Sequence, residues 1–424
     1  MKLLRVLDLE DTMGLTDHHL YQICQLFHLN YLSLRRCDGI LLLPNSLGNL
    51  KHLQTLDVED TSIIKLPRSI IKLRKLQYLR VGFVPEDDDE KQERWTYPIF
   101  TDGFRRIHRW LNYLSFHLYR RTGCLFLCYR SLYYLLASIL WLLIITGYLF
   151  YLIGSFSQVY VKDGFSGLPH GVQFPRGIRK LKALHTMGVV NINGGNAILE
   201  DLQFLTELRK LRVTGLNKKN SRRFFSAIAN HKCLESLSMQ SEGKPGFFGC
   251  LGDPSSLHIN LESLELYGNL VEMPKWINGL KSLVKLVLRS SRISEHDVAM
   301  QVLGKLPNLA ILRLLCHSFQ GEEVSFSFHL GAFRSLMVLE LGVQDNLRSV
   351  KFEAGANPKL ELLVFSCRPE DANIGLFSGL SSLTSLKEFM LDSDNYKIEF
   401  MENLRDQLAK NSNGPILKRY NDNS

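Results

Sequence analysis

A solenoid of the α/β class, in which every repeat adds one strand to a single parallel sheet, is the fold the sequence predicts. Three observations predict it. The unit L-x-x-L-x-L recurs along the chain with most starts 22 to 27 residues apart. A second, proline-centred motif follows many of these units. The recurrence stops once and then resumes, with 108 residues separating Leu76 from Leu184, so the array carries one insertion.

Each L-x-x-L-x-L unit reads as a short strand. In the first, Leu4-Arg-Val-Leu7-Asp-Leu9, alternation sends Leu7 and Leu9 to one side and Val6, Asp8 and Glu10 to the other. Equivalent units start at Leu29, Leu53, Leu76, Leu184, Leu208, Leu234, Leu261, Leu283, Leu309, Leu336, Leu360 and Leu386. A single strand cannot bury its apolar face, whereas about thirteen stacked side by side can. The result is a curved leucine-rich-repeat solenoid with a parallel concave sheet and short helices or turns on its return side. Unrelated amphipathic helices do not explain an apolar residue at both ends of every L-x-L.

The second motif reads Leu43-Pro-Asn-Ser-Leu-Gly-Asn-Leu50, Leu66-Pro-Arg-Ser-Ile-Ile-Lys-Leu73, Phe174-Pro-Arg-Gly-Ile-Arg-Lys-Leu181 and Met273-Pro-Lys-Trp-Ile-Asn-Gly-Leu280. Proline restricts its own backbone and lacks a donor, which suits a turn off the sheet. The pattern Leu-Pro-x-Ser-Ile/Leu-x-x-Leu resembles the plant intracellular immune receptors of the nucleotide-binding, leucine-rich-repeat family. Longer strings, Phe174 to Val190, Leu208 to Lys219 and Gln301 to Leu314, resemble its coiled-coil type from grasses, so the likeness is to the C-terminal leucine-rich-repeat region of a disease resistance protein. That resemblance implies repeats that bind pathogen-derived or host proteins, or that restrain a nucleotide-binding domain. No G-x-x-x-x-G-K-[ST] phosphate loop occurs in the sequence, so no cofactor is expected. The chain enters its first strand without a polar capping unit, the expectation for the C-terminal portion of a receptor or a truncated relative.

The expected organisation is repeats 1 to 4 over 1–82, an insertion over 83–171, and repeats 5 to 13 over 172–424 with a closing helix over Phe400 to Lys410. The insertion opens with Glu86-Asp-Asp-Asp-Glu90, continues through an arginine- and aromatic-rich stretch, and contains no charged residue from Ser131 to Val161. Leu132 to Ile153 would span about 33 Å as a helix, enough for a hydrocarbon core of about 30 Å. A transmembrane or membrane-inserted helix over 132–153 is the expectation. An enclosed or self-associating helix and an intron read-through are the competing readings. Cys124 and Cys128 precede the run, where juxtamembrane thiols are sometimes acylated.

Composition adds boundaries. The 424 residues carry 51 Lys and Arg against 42 Asp and Glu, a net +9, a moderate excess that solvated faces accommodate. Lys218-Lys219 and Arg222-Arg223 make a local basic patch without the broad stripe and stacking aromatics of a nucleic-acid site. No charged-then-apolar leader and no N-x-[ST] sequon occur, which points to a cytoplasmic chain, membrane-associated if 132–153 inserts. Asp17-His18-His19 and Glu295-His296-Asp297 lack a completing set of metal ligands, and Cys37 stands where such repeats use Asn or Cys in the turn. The expected function is therefore non-catalytic protein recognition, with a substrate-selecting adaptor for an enzyme such as a ubiquitin ligase as the alternative. The expected recognition residues are the outward strand positions: Asp8, Glu10, Arg35, Asp57, Glu59, Arg80, Lys210, Arg212, Glu265, Tyr267, Lys285, Arg289 and Arg313. The first and third repeats are acidic there and the sixth, ninth and tenth largely basic, a polarity suited to steering a charged partner.

Overall fold

A computed structural model describes residues 3–37, 39–83, 171–241, 246–252, 260–392 and 396–419. Two compact units divide the chain, Met1–Pro85 with Leu168–Ser424, and Glu86–Gly167; all of the described residues belong to the first. The uncharged run, the expected helix 132–153, Cys124 and Cys128 lie outside the described residues. Among the described residues, no helix is long and apolar enough to cross a membrane.

The repeat pattern becomes strands where it was expected. They are β1 (Val6–Asp8), β2 (Tyr31–Ser33), β3 (Thr55–Glu59), β4 (Tyr78–Gly82), β5 (Thr186–Asn191), β6 (Lys210–Leu216), β7 (Ser236–Ser241), β8 (Ser263–Tyr267), β9 (Lys285–Arg289) and β10 (Ile311–Leu315). Next come β11 (Val324–Phe328), β12 (Val338–Leu341), β13 (Leu347–Phe352), β14 (Leu362–Phe365), β15 (Phe377–Ser378), β16 (Glu388–Leu391) and β17 (Ile416–Arg419). One 14-stranded sheet runs from β1 to β10 and on through β12, β14, β16 and β17, every neighbouring pair being parallel. The register puts equivalent repeat positions opposite one another, as in Leu264↔Leu286 and Leu312↔Leu339, so the inward leucines stack into one continuous core. Leu56, Leu79, Leu211, Leu286 and Leu312 are all fully buried. Leu4 is the exception among the unit starts and is partly exposed, since β1 is the outermost strand of the sheet.

The proline motifs form the return turns. Pro44, Pro67 and Pro274 each sit in extended conformation directly before a 3-10 turn, over Asn45–Asn49, Arg68–Lys72 and Lys275–Gly279. Proline supplies the fixed φ for such an entry and loses no needed donor. In other repeats the return side is an α-helix: α1 (Asp17–Ile23), α2 (Asn196–Leu202), α3 (Ser221–Ile228), α4 (His296–Gly304) and α5 (Ile398–Ala409).

The array is continuous across the insertion. β4 pairs with β5 through Tyr78↔Thr186 and Leu79↔Met187, Leu66 N–H donates to the Gln173 carbonyl at 3.0 Å, and Gln173 N–H donates to that of Ile64 at 2.9 Å. The repeats flanking the insertion are thus hydrogen-bonded neighbours and lie on the same side of any membrane.

Two elements were not expected from the repeat. On the return side, β11, β13 and β15 form a second, three-stranded parallel sheet, whose Phe326, Phe328, Phe352 and Phe377 enter the core. At the far end the expected helix is α5, but Gly414 takes a left-handed φ of 59° and the chain adds β17 alongside β16. A strand therefore follows the helix, with Asn411 tying the turn by donating to the carbonyls of Leu380 and Leu383 at 2.7 and 2.9 Å.

Candidate functional site

The outward face of the large sheet is organised in columns by the register. Arg212, Ser238, Glu265, Val287, Arg313, Glu340, Val364, Met390 and Lys418 stand opposite one another in one column. Neighbouring strands are about 4.8 Å apart, so opposite charges on nearby repeats are drawn into contact.

That contact overturns the expectation of freely exposed charged columns. Asp57 is 2% exposed, Glu265 9%, Tyr267 6% and Arg289 5%, so these four are covered by their neighbours. Asp57 pairs with Arg80 at 3.1 Å, Glu59 with Arg212 at 3.2 Å, Glu265 with Lys285 at 3.0 Å and Arg313 with Glu340 at 3.0 Å. Tyr267 donates its hydroxyl to Glu265 at 3.4 Å, and the Arg289 guanidinium donates to the Cys316 sulfur at 3.5 Å. Arg35 lies between Glu10 at 3.6 Å and Asp60 at 3.5 Å. The acidic third repeat and the basic sixth thus neutralise each other instead of presenting two poles. Asp8 and Arg80 stay exposed, and Glu10, Arg35, Lys210 and Lys285 are half-buried.

The pairing sets the titration of the buried carboxylates in opposite directions. Burial raises the Glu59 carboxyl above its ordinary value despite Arg212. Burial alone would also raise Glu265, yet Lys285, Arg212 and Lys210 together hold it below. A lowered carboxyl contributes stability that is present above its unfolded value and lost as pH falls through its folded value; a raised one contributes in the reverse sense. The acid arm of the stability profile should therefore flatten in Glu265→Gln. Melting temperatures taken from neutral pH down to about pH 3 check this, and a fall as steep as in the wild type would remove Glu265 from the explanation. Lys210, between β5 and β7 at the centre of this network, is held below its usual range by burial and by the neighbouring Arg212.

Beyond β9 the face changes character, and sequence reading missed it. Ile311, Val338 and Leu362 stand opposite one another in register, as do Val364 and Met390. All five are half-buried rather than covered, Met337 beside them is 42% exposed and Ile416 on β17 is 59% exposed. From β10 to β17 is four strand spacings, an apolar strip about 19 Å long. It is flanked by the Arg313–Glu340 pair and by Lys418 against Glu388 at 2.8 Å. Part of the signal was present in the middle position of the last two units, where Val364 and Met390 replace the charged residues of earlier repeats.

The remaining candidates have local roles. His19 Nδ1 accepts the Thr16 N–H at 3.2 Å at the start of α1, the reach-back half of a capping box. Cys37 is buried and donates its thiol to the Leu9 carbonyl of the preceding repeat at 2.9 Å. Cys367 is buried, and burial together with Asp392 pushes its thiol up to about 12, which leaves it without thiolate character.

The family model for the leucine-rich repeat region matches residues 1–86 and 168–417. The disease resistance protein Pik-2 of Oryza sativa subsp. japonica is 24% identical over 437 residues, covering 97% of this chain and 35% of that protein. The disease resistance protein RPM1 of Arabidopsis thaliana is 27% identical over 217 residues, covering 50% of this chain and 22% of its own length. The chain spans about a third of the rice relative. Among solved structures, an LRR protein of Leptospira interrogans aligns with a TM-score of 0.43 at 17% identity, covering 98% of this chain and 81% of that one. An internalin of Listeria monocytogenes aligns with a TM-score of 0.45 at 14% identity, covering 95% and 88%.

Proposed function

The chain belongs to the leucine-rich repeat family, and from that premise we propose that it is the non-catalytic recognition region of a plant immune receptor. Its curated relatives are plant disease resistance proteins. In this reading the outward sheet face takes up a pathogen-derived or host protein, and binding there regulates defence signalling. A nucleotide-binding domain is supplied by a longer chain, and the region works in the cytoplasm.

The observation that carries the proposal is the apolar strip Ile311, Val338, Leu362, Val364 and Met390, half-buried on a rigid face beside satisfied ion pairs. Apolar anchors rimmed by polar groups are the usual energetic centre of an interface. The paired charges nearby hold the neighbouring strands in place. Because Arg212, Lys285 and Arg289 are engaged in the fold, reversing them tests stability as much as binding. The discriminating variant is Val364→Asp with Met390→Asp.

Titrated against a panel of effector and host proteins, any ligand held by the wild type should lose at least about tenfold in affinity for this variant. Two carboxylates facing each other across one ladder step also repel, so the melting temperature is read alongside to show that the variant remains folded at the binding temperature. Undiminished affinity of the double variant for such a ligand would place recognition elsewhere.

A further inference from the structure

The net charge of +9 is concentrated on the return side of three stacked repeats. The segments Pro44–Gln54, Pro67–Gln77 and Phe174–His185 contain no Asp or Glu. Outside them, acidic residues stand on and just past the strand between the first two segments at Asp57, Glu59 and Asp60, at Glu86 to Glu90 in the insertion, and in the adjoining repeats at Asp17, Glu200, Asp201 and Glu207. Within the three segments Lys51, Lys72, Arg74, Lys75, Lys180 and Lys182 are all exposed.

Arg179 of the third segment pairs with Asp201 of the next repeat at 3.6 Å, whereas Arg74 and Lys75, among the six exposed cations just named, contact one another's neighbouring repeats. Arg74 donates to the Lys180 carbonyl of the next repeat at 2.8 Å, and Lys75 Nζ lies 3.3 Å from His52 Nδ1 of the repeat before. Lys51, Lys72, Arg74 and Lys180 line one shallow groove of about 620 Å³ with Ile71 in its wall. Gly48 is required where the turns touch, since a Cβ there would come 2.7 Å from Ser69 Cβ and 2.9 Å from the Ser69 carbonyl oxygen; close stacking is what brings the cations of separate repeats together. Like charges held this close favour a bound anion.

We propose that this strip seats the array on an anionic lipid bilayer, with headgroup phosphates entering the groove between Lys51, Lys72, Arg74 and Lys180. Three features favour a bilayer over other polyanions. The cations sit on exposed tips spread across three repeats, as a broad surface demands. Apolar side chains on the turns leading into the same segments are exposed, Leu42 at 62% and Ile64 at 72%, and a mixture of basic and apolar groups suits the headgroup boundary. The three segments carry no Trp or Tyr on which bases could stack, and their one Phe, Phe174, is packed against the core. The chain also carries its uncharged stretch, Ser131 to Val161, in the sequence joining β4 to β5, between the second and third of these segments.

The test uses the full chain in flotation with vesicles of phosphatidylcholine alone or with one part in three phosphatidylserine. Any contribution of the uncharged stretch is common to both, so the readout is the preference for anionic vesicles. The wild type should show that preference, and salt well above physiological strength should erase it. The variant Lys72→Gln, Arg74→Gln, Lys180→Gln, Lys182→Gln should lose about fivefold in partitioning per charge removed, roughly 100-fold or more in total. Lys275→Gln with Lys281→Gln, on another return segment, should leave it unchanged. The proposal is overturned if the wild type has no anionic preference, if the fourfold variant keeps it, or if the control pair loses as much. Tighter binding to duplex RNA than to anionic vesicles would also overturn it, assigning the strip to nucleic acid. Protein-ligand binding by the opposite face is unaffected by these substitutions, so failure here leaves the recognition reading standing.

Discussion

Gly188→Ala is expected to split the array between its fourth and fifth repeats. A Cβ on residue 188 would stand 2.4 Å from the backbone nitrogen of Val81 and 2.6 Å from its carbonyl oxygen. Backbone atoms have no rotamer by which to withdraw, so the clash is relieved only by parting β4 from β5. That ladder has two register pairs, Tyr78↔Thr186 and Leu79↔Met187, and β5 shifts register between Met187 and Val189. Across the gap the Glu59–Arg212 pair at 3.2 Å acts as a brace, and it lengthens if the seam opens. The expected cost is at the upper end for overpacking, about 3 kcal/mol. Because a repeat array is stabilised by nearest-neighbour interfaces, weakening one should resolve denaturant unfolding into two transitions. A single transition with an unchanged midpoint would show that the seam holds.

Phe365→Ala should be the most damaging single truncation at the other end. Phe365 is fully buried in β14 and meets three layers: the inner face of the large sheet, Phe377 of the small sheet edge-on at 4.9 Å, and Phe400 of α5 at 6.5 Å. Removing the ring leaves a cavity bounded by separate elements that cannot close over it together, a loss of about 3 to 5 kcal/mol. Since α5 also relies on Gln407 donating to the Phe377 carbonyl at 2.7 Å, its release should come first. Limited proteolysis should show early cleavage within Ile398–Ala409. Cleavage no faster than in the wild type, at equal melting temperature, would refute this role.

How far the sequence could be read varies by position, and the reasons are physical. Leu56, Leu79 and Leu286 were legible because burial selects one residue type at one period. Pro44, Pro67 and Pro274 were legible because only proline combines that φ with a missing donor. The small sheet was harder: Val324-Ser-Phe-Ser-Phe328 alternates as a strand does, but that alternation falls between L-x-x-L-x-L units and has no repeat to announce it. The strand β17 lies past a helix that reads as an ending.

On the outward face the repeat register placed eleven of the thirteen residues in strands, with Glu10 and Arg35 just past the ends of β1 and β2, yet it did not give their exposure. Asp57, Glu265 and Arg289 read as solvated because Arg80, Lys285 and Cys316 lie on neighbouring repeats, and Glu59 meets Arg212 across 153 positions. Of the apolar strip only Val364 and Met390 were legible in the repeat unit, and the basic groove needed three return turns brought side by side.

The sequence by itself determined the repeat, its count to within one strand, the place of the insertion and the family, because each depends on residue type at a short period. Only the tertiary structure decided which charges neutralise one another, where the seam at Gly188 lies and which cations gather without a carboxylate. Those properties arise from stacking residues far apart in the chain at contact distance, and no local pattern records that distance.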